Sequence, residues 1–149
     1  MFDPKAKLII TTAIFGACLL FVHAENGRGG HPALLVRASW HESVEDAVAA
    51  SAKSGKPIMI DFGASSCDAC QDYRDEVFTT QEFQDEAAKF ELVESDVSMD
   101  SKLADAYHVK ELPDFRFLDK NGKEVHRLVG FEGLGLLDHM EQALAKVRS

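Results

Sequence analysis

Cysteine is scarce in this sequence: 149 residues carry three, Cys18, Cys67 and Cys70. Cys67 and Cys70 stand too close together to staple a domain, because the loop they would close is too short to constrain the chain. No second cysteine pair faces them, and His41, His108 and His126 lack ligand-like spacing, so a four-ligand zinc site is short of ligands. Gln71, not histidine, follows Cys70, which excludes c-type haem attachment. Positive charge is also short: 16 Lys and Arg stand against 25 Asp and Glu, a formal net charge of −9. Such a surface disfavours nucleic acid and anionic lipid as main partners and favours solubility. No apolar run reaches the roughly 20 residues of a spanning helix. Neither an internal repeat nor a low-complexity tract is present. What remains is an ordinary globular composition, 46% hydrophobic and 28% charged, at a length that buries one core unaided.

Residues 1–24 differ from the rest. Lys5 and Lys7 make a short basic start, Leu8 to Val22 is a nearly uncharged apolar run, and Val22-His23-Ala24 precedes Glu25. A basic n-region, an h-region and an A-x-A-like end are the parts of a secretory signal peptide. The reading is therefore a signal peptide over 1–24, with a retained membrane anchor facing the periplasm as its rival. Residues 25–39 open on a Gly-rich polar stretch and read as a flexible lead-in, and 40–149 as one domain. Cleavage after Ala24 removes Cys18 and leaves only Cys67 and Cys70. In the oxidising compartment that receives exported proteins, such a lone pair is better explained by chemistry than by architecture.

Along the domain the periodicity alternates. Leu34 to Trp40 reads as a short strand or an extended arm. Ser43 to Lys53 has helical spacing, with Val44, Ala47, Val48 and Ala52 on one face. Ile58 to Phe62 is a short apolar run of the kind buried on both faces of a sheet. A helix is expected from about Cys67, continuing through Thr79 to Lys89 on Tyr73, Val77, Phe78, Phe83 and Ala87. Phe90 to Val97 reads as a strand, and Ser101 to His108 as a short helix. Phe115 to Leu118 and Glu124 to Val129 flank Asn121-Gly122, a strong hairpin signal. An amphipathic helix closes the chain from about Leu136 to Val147. This order predicts an α/β fold: a central mixed β-sheet with parallel crossovers in its first half, a closing antiparallel hairpin, and helices on both faces. Trp40 and the phenylalanines are assigned to packing, and His108 and His126 to the surface or hairpin.

Cys67-Asp68-Ala69-Cys70 follows the buried strand and opens a helix. A thiolate there faces unpaired backbone N–H groups and the positive end of the helix dipole, so its pKa falls and it becomes the better nucleophile. Cys67 is the attacking thiol, and Cys70, one turn on, resolves the mixed disulfide. A Cys-x-x-Cys beside a β-α-β pattern is a thioredoxin-like redox motif.

Ile60-Asp61-Phe62-Gly63-Ala64-Ser65-Ser66-Cys67-Asp68-Ala69-Cys70 resembles the active-site strand and turn of the thioredoxin superfamily. The likeness is nearest to the thioredoxin-like domains of bacterial envelope thiol:disulfide reductases, the C-terminal domain of DsbD among them. Lys56-Pro57, Val77-Phe78, Asp96-Val97, Leu112-Pro113 and Gly130-Phe131 fit in the same order, over about residues 40 to 147. The resemblance implies a thioredoxin fold and a protein-disulfide oxidoreductase needing no bound cofactor. Its partners would be protein disulfide substrates, with a membrane reductase as electron donor, in the periplasm or outside the cell. It makes Asp61 a buried carboxylate that accepts a proton near the resolving cysteine, and matches Pro113 to the family's cis-proline beside the disulfide. Two departures matter. Ser66 stands where the family has tryptophan. Asp68, between the cysteines, disfavours the Cys67 thiolate, which makes the couple more reducing. Asp114, after the proline, is expected to add a further acid near the site. Two alternatives stay open: a non-catalytic binding module, and a copper-handling thiol protein.

Overall fold

The computed structural model describes residues 37–149. The expected signal peptide, and the lead-in up to residue 36, lie outside the described residues. Among those described, no helix is long and apolar enough to cross a membrane.

The elements run β1 (Trp40–His41), α1 (Val44–Ser54), β2 (Ile58–Gly63), α2 (Asp68–Asp72), a π-helical turn (Tyr73–Val77), α3 (Gln81–Ala87), β3 (Glu91–Asp96), α4 (Ser101–Ala106), β4 (Asp114–Leu118), β5 (Glu124–Val129) and α5 (Gly135–Arg148). Five strands form one sheet in the order β1-β3-β2-β4-β5. β1, β3 and β2 are parallel; β4 pairs antiparallel with β2, and β5 with β4. The expected parallel half and closing hairpin are both present. Every residue of β2, Asp61 included, is buried, as a largely apolar run requires of a central strand. At the hairpin, Gly122 takes φ +81°, a conformation open to glycine without strain, while Asp119 Oδ1 accepts the Asn121 and Lys123 N–H groups.

Alternation along the strands sorts the core to two faces. Met59, Leu92, Phe115 and Phe117 pack against Tyr73, Val77, Phe83, Leu136 and Met140 on one side. Ile58, Ile60, Phe62 and Val93 pack against Ala47 and, at the margin, Leu103 and Tyr107 on the other. Asp61 and Gly63 share the first face with Met59; Glu94 and Asp96 share it with Leu92.

Three details differ from the sequence expectation. The first strand is only Trp40–His41. The buried face of α1 is Ala47 and Ser51, while Val48 stays exposed; the Ser51 hydroxyl satisfies itself on the Lys56 carbonyl, so a small polar residue serves at this close approach. The long helix after Cys67 is interrupted. Phe78 N–H reaches the Tyr73 carbonyl, five residues back, at 2.8 Å, which is π-helical bonding. Thr80 then turns extended (φ −76°, ψ 151°), and its hydroxyl caps α3 by accepting the Phe83 N–H. Threonine hydroxyls compete with helix continuation in this way. Trp40 packs on Phe78 and Phe83 with ring centroids at 5.2 and 6.5 Å.

Candidate active site

Strand β2 ends at Gly63, and the chain turns through Ala64 to Ser66 into α2. Cys67 is the N-cap of that helix; its Sγ accepts the Cys70 N–H at 3.2 Å. Cys67 and Cys70 are joined as a disulfide, with their Cα atoms 5.2 Å apart. The two sulfurs are not equivalent. Cys67 keeps partial exposure at the rim, whereas Cys70 is 1% exposed and faces Gly63. A Cβ placed on Gly63 would stand 3.5 Å from Cys70 Sγ. An incoming sulfur meets Cys67 first.

Asp61, two residues before Gly63 on the same face of β2, is 2% exposed. Among the described residues its Oδ1 has no hydrogen-bond partner. Burial pushes its carboxyl up to about 7; the Glu94 carboxylate adds to the rise and the Arg74 guanidinium opposes it. A buried carboxyl able to change state near neutral pH is suited to take or give a proton there. Glu94 lies in direct register with Asp61 on β3 and holds Arg74 at 2.8 Å.

The Leu112–Pro113 peptide bond is cis. The Pro113 carbonyl accepts the Gly130 N–H at 2.8 Å, tying this loop to the segment before α5. Tyr73 braces the same segment: its hydroxyl accepts the Glu132 N–H at 2.9 Å, and its ring meets Phe131 edge-on at 4.7 Å.

Thus Cys67, Cys70 and Asp61 gather at the end of β2, and Pro113 immediately precedes the neighbouring strand β4. The acid expected of Asp114 is not delivered there. Its register partner is Phe62, so it lies on the face opposite Asp61. There it is wholly buried between two guanidinium groups, Arg116 at 2.8 Å and Arg127 at 2.7 Å. Its charge is neutralised where it stands. Arg74 and Glu94 are not among the expected site residues; their signals in the sequence are a charged residue within the Phe90 to Val97 run and an arginine one turn after Cys70.

A family model described as thioredoxin-like matches residues 39–120. The thiol:disulfide interchange protein DsbD of Vibrio cholerae is 30% identical over a 106-residue alignment that covers 66% of this chain and 18% of that protein. The chloroplastic thioredoxin-like protein HCF164 of Oryza sativa is 29% identical over 77 residues, 52% of this chain and 29% of that one. The chain therefore spans less than a third of these curated relatives. A solved structure described as DsbH oxidoreductase shares the fold with TM-score 0.68 at 24% identity, covering 83% of this chain and 95% of that chain. A thioredoxin from Thermus thermophilus does so with TM-score 0.67, also at 24% identity, over 74% of this chain and 90% of that one.

Proposed function

The chain belongs to the thioredoxin-like family of thiol–disulfide oxidoreductases, and from that membership we propose that it reduces disulfides in proteins of the cell envelope. The observation that carries this reading is the asymmetric pair, a rim-exposed Cys67 bonded to a buried Cys70 at the start of a helix.

In the reduced protein, Cys67 thiolate attacks one sulfur of a substrate disulfide. A mixed disulfide forms, and the other substrate sulfur leaves as a thiolate that takes a proton from water. Cys70 then gives its proton to Asp61 and attacks Cys67 Sγ. The bond to substrate breaks, and the second substrate sulfur departs with its electron pair. Two electrons have passed from the dithiol to the substrate, and the Cys67–Cys70 disulfide is what remains. Pro113 lines the site and leaves neighbouring backbone for an extended substrate. A dithiol donor, a membrane reductase by class, restores the reduced pair. The likeness to DsbD and the segment Lys5 to Ala24 support an envelope setting. The exposed Asp68 between the cysteines supports the reducing direction, since it opposes the Cys67 thiolate.

Reduction of insulin by dithiothreitol, followed as turbidity, tests the roles. The wild-type protein is expected to accelerate it, Cys67→Ser to return it to the uncatalysed rate, and Cys70→Ser to stall as a mixed disulfide seen in the intact mass. A wild-type protein that does not accelerate the reaction would overturn the exchange reading and leave the binding-module and copper-handling readings.

A further inference from the structure

Over the buried half of the site lies an ion pair that the exchange chemistry described so far does not use. Arg74, one turn after Cys70, donates from Nη1 to Glu94 Oε1 at 2.8 Å. The point where a Gly63 Cβ would stand is 3.5 Å from Cys70 Sγ and 3.9 Å from Arg74 Nη1. Glycine thus leaves a space that both the sulfur and the guanidinium border. Beneath them, Asp61 and Glu94 are register partners on adjacent parallel strands and share one face. An open cleft of about 280 Å³, lined by Gly63, Ser65, Gln71, Arg74, Glu94 and Asp96, brings solvent to the pair.

The charges facing this spot are few. From β3 come Glu94 and Asp96, the latter engaged by Ser98 through its N–H and hydroxyl. The helix and π-helical turn supply Cys70, Tyr73 and Arg74. Strand β4 presents only Phe115 opposite Asp61, and the buried Asp114 cluster faces away. Arg74 is the one cation among these groups, and Glu94 is the anion set directly beside Asp61.

We propose that Arg74 and Glu94 are positioning residues for the resolving step: Arg74 favours the negative charge that appears on Cys70 as its proton passes to Asp61, and Glu94, in register with Asp61, favours the protonated form of that carboxyl. The inference rests on the exchange chemistry proposed above. No atom or electron is added to that step. The Cys70 proton goes to Asp61, the Cys70 electron pair forms the new S–S bond, and the guanidinium only shifts the balance toward the thiolate. An anion and a cation on either side of one proton transfer have opposite effects on it. A merely structural salt bridge has no such sign, because losing either partner loses the same bond.

The reduced protein mixed with an aromatic disulfide such as 5,5′-dithiobis(2-nitrobenzoate) reports both steps. One chromophore leaves when Cys67 attacks, and a second leaves when Cys70 resolves. Stopped-flow traces across the pH range give a midpoint for each phase. For Arg74→Met the expected result is a second phase about threefold slower at pH 7, with its midpoint about half a unit higher. Arg74→Lys restores it. Glu94→Gln moves the same midpoint the opposite way, downward. Circular dichroism confirms that each variant is folded; if Arg74→Met is not, the neutral Arg74→Gln takes its place against Glu94→Gln. Midpoints that move together, or not at all, overturn the inference. A wild-type protein that releases no first chromophore would instead overturn the exchange reading itself.

Discussion

In the proposed exchange Asp61 takes the Cys70 proton, and its burial makes a prediction of its own. In the oxidised protein the cysteines do not titrate, so Asp61 can be followed alone. Its carboxyl is held at about 7 against an ordinary 3.8. Between those values the unfolded chain ionises while the folded one stays protonated, so the native state binds more protons. Stability from this group therefore falls as pH rises through that window and levels off above it. Asp61→Asn removes the slope. Urea unfolding of the oxidised forms is expected to show equal stabilities near pH 4 and a variant ahead by up to about 4 kcal/mol at pH 8. A constant difference across pH would mean that Asp61 is ionised in the fold. Asp61 was legible only through the resemblance of the Ile60 to Cys70 segment to the active-site strand and turn of the thioredoxin superfamily, which implies a buried carboxylate there. Arg74 and Glu94 were not, since their meeting depends on the parallel register of β2 with β3. Asp114 was misplaced for a related reason: neighbours in the chain point to opposite faces of a strand, so standing next to Pro113 does not put its carboxylate beside the disulfide.

At the scale of elements, the helix that carries Cys70 is short, bends through a π-helical turn and restarts. The turn aims Tyr73 inward, where it braces the Gly130 to Glu132 segment, and it brings Phe78 against Trp40. Apolar spacing showed these residues facing the core but could not show the break, since Tyr73, Val77, Phe78, Phe83 and Ala87 fit a continuous helix equally well. The break is written instead in Thr79 and Thr80. Thr80 accepts the Phe83 N–H, while Thr79 donates to the Asp75 carbonyl and caps nothing. Thr80→Ala is expected to lower stability by about 1 kcal/mol in urea unfolding, and Thr79→Ala by clearly less. Equal losses would argue that the restart of α3 does not depend on its cap. Strands and the hairpin were legible because unbroken apolar runs and the Asn121-Gly122 turn are local signals.

For the molecule as a whole, the sheet order β1-β3-β2-β4-β5 puts the fully buried β2 at the centre and so delivers both sulfurs and one buried carboxyl to a single edge. That architecture followed from the alternation of strands and helices together with the closing hairpin, and the motif following β2 supplied the chemistry. The direction of electron flow is a property of the entire site: the dipole of α2 favours the Cys67 thiolate, and Asp68, within a chain of net charge −9, opposes it. The measurement that tests this balance most directly is the reduction potential of the Cys67–Cys70 pair, obtained by equilibrating residues 25–149 in graded dithiol buffers and trapping free thiols. A value near or below the roughly −270 mV of thioredoxin is predicted. A value near the roughly −120 mV of a strong oxidase would contradict the account, because the pair would then insert disulfides rather than remove them.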